Sequence, residues 1–143
     1  MDRQQLSTIL KEHRVNNGVL LKRICAQMDT GESTVYRIEK GAYNFNCDMW
    51  IDYMNAIGVI AKISRGDKSI FINSSNDIVE FIKNARSEQD VSQRALAKMI
   101  NVANMTIANL ERGYTRVAID VLLAVVNTFG YELQILDKVT SDN

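Results

Sequence analysis

The sequence predicts a mainly α-helical protein made of two tandem copies of one unit, each of about four helices followed by short β-strands. Three observations predict it. The chain repeats itself once, without a gap, at a spacing of 72 residues: Thr34–Gly41 lies over Thr106–Gly113, and the overlay extends from Gln5–Ser64 onto Asp77–Leu136. Ten positions of that overlay are identical, among them Lys11/Lys83, Arg14/Arg86, Glu39/Glu111, Gly41/Gly113 and Asp48/Asp120, where average composition gives about three or four. Within each copy, apolar residues recur at the period of an amphipathic helix, and each copy then passes into a short run suited to a strand.

The elements of the second copy are the clearer ones. Ile78, Phe81, Ile82 and Ala85 share one face of a first helix, about Asn76–Ser87. Ser92 is a suitable N-cap for a second helix, which turns Ala95, Leu96, Met99 and Ile100 inward. The pattern breaks at Asn101-Val102-Ala103 and resumes in a third helix, Ala103–Arg112, with Ile107 and Leu110 inward and Gly113 as its left-handed stop. A fourth helix, about Ile119–Phe129, ends at Gly130, and the alternation of Tyr131–Leu136 reads as a strand.

The first copy follows the same plan, with helices near Gln4–Val15, Val19–Met28, Gly31–Lys40 and Cys47–Ile57. Val59–Ile63 reads as a strand, Arg65–Lys68 as a turn and Ser69–Ile72 as a returning strand. Asn73–Asn76 is the linker-like stretch and also caps the next helix. It divides the chain into residues 1–72, with a terminal hairpin, and residues 73–143, with a terminal strand. So short a tether predicts that the two units pack together or share a small sheet.

Val91–Gly113 resembles the helix-turn-helix of the lambda-repressor/Cro-like (Xre) family, through its cap, its glutamine, its small alanine, the turn and the closing Leu110-Glu111-Arg112-Gly113. The first copy resembles it more weakly, as a degenerate version, through Ile38-Glu39-Lys40-Gly41 and the hydrophobic frame. The strand ending departs from the repressor pattern and is similar to the antitoxin branch of that superfamily, where C-terminal strands pair between subunits.

The resemblance implies a sequence-specific regulator that binds double-stranded DNA, with its third helix in the major groove. In the second copy it assigns base reading to Asn104, Met105, Thr106 and Asn109, since asparagine can bond adenine bidentately and apolar groups can meet the thymine methyl. Gln93 matches the family glutamine that contacts the DNA backbone and steadies the reading helix, while Arg94, Arg112 and Arg116 fall at phosphate-contact positions. In the first copy Lys22, Ser33, Thr34, Arg37 and Lys40 occupy the corresponding face. There Leu20 and Leu21 replace Ser92 and Gln93, and Glu32 stands at the leading base position, so the first copy either reads a different half-site or has turned to a structural or partner-binding role. The resemblance also implies ion pairs Arg14–Glu39 and Arg86–Glu111 joining the first and third helices.

Composition narrows the function classes. Hydrophobic residues make up 46% and proline is absent, which excludes a disordered chain. No stretch approaches the ~20 apolar residues of a membrane span, and the polar start Met1–Gln5 lacks a signal-peptide core, so the expected location is cytoplasmic. Cys25 and Cys47 read as reduced, buried thiols, and Trp50 as core. His13 has no partner at ligand spacing, so no metal site is expected, and no cofactor. No nucleophile–base pair or phosphate loop is present, which argues against an enzyme. Residues 1–72 carry a net charge of +2 and residues 73–143 one of −2, so DNA affinity would depend on how the cations cluster. Tyr36, Tyr43 and Tyr114 can serve that face or pack.

These readings leave open a homodimer using the second copies, an intramolecular pseudo-dimer using both, an antitoxin-like protein that also holds a toxin partner, and an adaptor that has lost DNA.

Overall fold

A computed structural model describes residues 1–138, so the end of the 73–143 unit lies outside the described residues. The first half contains helices α1 (Arg3–Asn16), α2 (Leu21–Met28), α3 (Glu32–Lys40) and α4 (Cys47–Ile57), then strands β1 (Val59–Arg65) and β2 (Lys68–Ile72). The second half contains α5 (Ser75–Glu88), α6 (Gln93–Met99), α7 (Asn104–Glu111) and α8 (Ile119–Thr128), then β3 (Glu132–Asp137).

Local chemistry sets the helix starts. Asp2 caps α1 and exchanges a capping box with Gln5, and Ser74 does the same for α5 with Asp77. The cap expected in the linker-like stretch is thus Ser74, and Ser75 is the first helical residue. Ser92 caps α6 as expected, its hydroxyl accepting from the Ala95 amide at 3.0 Å. Leu20, at the equivalent place, gives α2 no side-chain cap, and the helix begins at Leu21 rather than at the expected Val19.

Backbone handedness follows the 72-residue spacing. Gly18/Asp90, Asp29/Asn101, Gly41/Gly113 and Gly58/Gly130 all have positive φ, and Gly66 is the one such described residue outside these pairs. Gly66 opens the two-residue turn of the β1–β2 hairpin with φ +60°, as a type II′ connection requires. The hairpin is tighter than the expected Arg65–Lys68 turn, because Arg65 and Lys68 already pair across it.

The three strands form one antiparallel sheet in the order β2-β1-β3, so the shared sheet expected from the short tether is present. In the β1–β3 pairing Lys62 lies opposite Gln134, its own mate in the sequence repeat. A second meeting of mates is the isolated bridge between Asn46 and Ala118. Around it the Cys47 amide donates to the Val117 carbonyl at 2.7 Å and the Ile119 amide to the Phe45 carbonyl at 2.8 Å, two bonds that exchange under the same 72-residue shift. Such reciprocal contacts define a local two-fold axis. One hydrophobic core runs through both halves and includes Trp50, Tyr53, Ile63, Ile82, Leu122 and Ile135. Among the described residues, no helix is long and apolar enough to cross a membrane.

Candidate nucleic-acid interface

In the second half, α6 and α7 meet through a turn in which Asn101 takes a left-handed conformation, φ 59°. Leu96 and Ala97 of α6 and Ile107, Ala108 and Leu110 of α7 are buried. That stripe leaves the opposite face of α7 in solvent, with Asn104 and Met105 exposed and Thr106 and Asn109 half-buried. The pose of α7 is fixed from behind. Arg86 of α5 grips Glu111 with two N–H donors at 2.9 Å each and also donates to the Val91 carbonyl. Gln93 Nε2 adds a third donor to Glu111 at 3.1 Å. A carboxylate whose side chain is 4% exposed is thus paired and hydrogen-bonded, the condition under which a buried charge is tolerated.

The first half builds the same clamp differently. Arg14 Nε and Nη2 donate to Glu39 at 2.5 and 3.2 Å. The third donor is Tyr53 of α4, whose hydroxyl reaches Glu39 at 2.5 Å, because Leu21 stands where Gln93 would be. Burial, reinforced by the bond to Glu39, pushes the Tyr53 hydroxyl far above the usual phenol range, so it is a permanent donor. Burial opposes the charge on Arg14, but the hydrogen bond and charge of Glu39 outweigh it and hold the guanidinium above its ordinary value. In front of this clamp Glu32, Ser33, Arg37 and Lys40 are exposed, with Thr34 half-buried and Lys22 exposed on α2. Lys40 Nζ lies 4.6 Å from the centre of the Tyr36 ring, and the Arg37 guanidinium 5.8 Å from that of Tyr43.

A buried stripe, a left-handed turn and a braced, polar-faced second helix are the parts of a DNA-reading motif. Residues 82–136, from within α5 to the penultimate residue of β3, match the family model described as helix-turn-helix. Residues 82–136 form a helix-turn-helix domain. The family suggests a DNA-binding transcription regulator. No curated protein and no solved structure matches the chain.

Within the helix-turn-helix, α6 is the first helix and α7 the second. Asn104, Met105, Thr106 and Asn109 share the solvent side of α7, and Arg94 and Arg112 are exposed beside it. Gln93 is directed to Glu111 at the end of α7. Arg116 sits apart from this cluster. It is exposed and its Nε lies 3.3 Å from Asp48 of the first half, so a phosphate would compete with a carboxylate for it. Tyr114 is exposed near Arg112, whereas Tyr43 is half-buried. Both expected ion pairs, Arg14–Glu39 and Arg86–Glu111, are present.

Sequence reasoning missed two contributors. Tyr53 replaces the absent glutamine, but it arrives from a different helix and overlays Val125 in the repeat, so no spacing marked it. Asp48 and Asp120 were visible as an identical pair without a role. Each reaches the start of the first helix of the opposite half, Asp120 taking the Arg3 guanidinium at 3.0 Å and Asp48 the Ser75 hydroxyl. His13, for which the sequence offered no partner at ligand spacing, lies 3.3 Å from Asp137 of β3. Burial pushes the Cys47 thiol well above its usual range, in keeping with a packing role.

Proposed function

We propose that the protein is a sequence-specific DNA-binding transcription regulator whose single chain acts as a pseudo-dimer of two tandem helix-turn-helix domains, residues 1–72 and 73–143. The observation that carries this reading is the local two-fold axis marked by Lys62/Gln134 and Asn46/Ala118. The segments leaving α3 and α7 meet at the second of these pairs, so the two reading helices flank one axis, the arrangement by which dimeric helix-turn-helix proteins address half-sites one helical turn apart, ~34 Å. Regulation is by operator occlusion: bound protein blocks polymerase at a promoter, its own among them.

Lys22, Lys40, Arg94 and Arg112 supply phosphate affinity that a chain of zero net charge otherwise lacks. The toxin-binding alternative rested on the hairpin and the last strand, and these three strands pair with one another inside the chain. The adaptor alternative rests on Leu20, Leu21 and Glu32. It is separated by a fluorescence anisotropy titration with random duplex and with the gene's own upstream DNA at ~50 and ~200 mM salt. Binding that prefers the upstream DNA and weakens steeply with salt is expected, as is its loss in Asn104→Ala. Absence of binding at the lower salt would overturn the proposal and leave protein partners as the field of search.

A further inference from the structure

The two reading faces are related by an axis that would make them identical if their residues were. They are not. Shifted by 72, Glu32, Ser33 and Arg37 of α3 overlay Asn104, Met105 and Asn109 of α7. Each trio projects from the face of its helix opposite the buried stripe, Val35 and Ile38 in one and Ile107 and Leu110 in the other.

We infer that the protein reads a composite operator whose two half-sites have opposite composition: A·T-bearing under α7 and G·C-bearing under α3. The inference rests on the DNA-binding reading above and specifies its ligand. An asparagine amide matches adenine N6 and N7, and the methyl end of Met105 suits the thymine methyl. An arginine fork matches guanine N7 and O6, and a carboxylate accepts from cytosine N4. Arg37 and Glu32 therefore address the two partners of one kind of base pair, and Asn104, Asn109 and Met105 those of the other.

Two features of α3 favour base reading over simple phosphate attraction. Glu32 is exposed in the first turn of the helix, where a phosphate would repel it and a cytosine amine would not. Arg37 is exposed, and among the described residues no carboxylate pairs with it; its neighbour is the Tyr43 ring at 5.8 Å. The Glu39 clamp behind them is as complete as that of Glu111, so α3 is presented with the same firmness as α7. A homodimer with one reading helix per chain has no means of making this distinction. The pseudo-dimer has one because its halves are encoded separately.

The test is selection of binding sites from a randomised duplex pool with the full chain, repeated for Arg37→Ala and for the graft Glu32→Asn, Ser33→Met, Arg37→Asn. All three positions are exposed, and an unchanged thermal transition of each variant certifies the fold. Wild type is expected to select two unlike half-sites about one helical turn apart. Arg37→Ala should lose discrimination at G·C in one half only, on the order of ten-fold, and the graft should turn the selected site into a palindrome of the A·T-bearing half. A palindrome selected by wild type, an unchanged site for the graft, or equal weakening on all sequences by Arg37→Ala would overturn the inference while leaving DNA binding intact. Failure of wild type to bind any duplex at low salt would remove both it and the reading beneath it.

Discussion

Glu39 and Glu111 occupy the same place in the two halves and are satisfied by different neighbours, which makes them sensitive probes. Glu111→Ala strands Arg86 and is expected to lower stability by about 3–5 kcal/mol in urea unfolding, the usual result of breaking a buried pair. Tyr53→Phe removes one donor from Glu39 but leaves Arg14 in place, so a smaller loss, about 1–2 kcal/mol, is expected. Both carboxylates and both arginines were visible as identical pairs at the repeat spacing, and their pairing was legible through the family resemblance. Their third donors were legible in one half only, since Gln93 lies on the motif and Tyr53 does not. At the end of β3, the hydrogen bond from Asn17 holds the Asp137 carboxyl below its ordinary range, against the opposing effect of burial and with lesser help from His13. A carboxylate with a lowered folded-state pKa contributes stability above its unfolded pKa and loses it as pH falls through the folded one. The stability difference between wild type and Asp137→Asn should therefore be present at neutral pH and disappear on acidification, as followed by denaturant melts across the acid range. A difference that grows on acidification would contradict the assignment.

The helices themselves were readable because their apolar period is long and regular, and every expected helix is present with ends moved by one or two residues. The ends moved where a cap outweighed the hydrophobic pattern: Ser74 draws α5 forward into the apparent linker, and the bare Leu20 delays α2. Caps also differ between equivalent helices, and this gives a paired prediction. Ser92→Ala should cost about 1 kcal/mol by loss of the bond to the Ala95 amide. Leu20→Ser should stabilise by a similar amount, because Leu20 is 73% exposed and already has the extended backbone of an N-cap, φ −79° and ψ 145°. Thermal melting of the two single variants measures both. A Leu20→Ser protein less stable than wild type would show that this leucine covers apolar surface instead.

For the whole molecule, the repeat predicted two like halves and the short tether a packed or shared-sheet junction, but not which strands pair in it. Alternation identifies a strand without naming its neighbour, and the pairing of β1 with β3 depends on contacts 68 or more residues apart. The unequal residues on the exposed faces of α3 and α7 were visible from the start; what relates them geometrically is the axis that the sheet and the Asn46–Ala118 bridge create. One core through both halves predicts one cooperative transition. Trp50 fluorescence, which reports the first half alone, should therefore coincide with far-ultraviolet dichroism, which reports both. The central claim is that a single chain carries a complete pair of reading helices. Hydroxyl-radical footprinting of the complex at known stoichiometry tests it most directly. One chain per duplex, protecting two patches about one helical turn apart on one face, is the predicted result. A single protected patch per chain, or two chains needed for the pair, would contradict it.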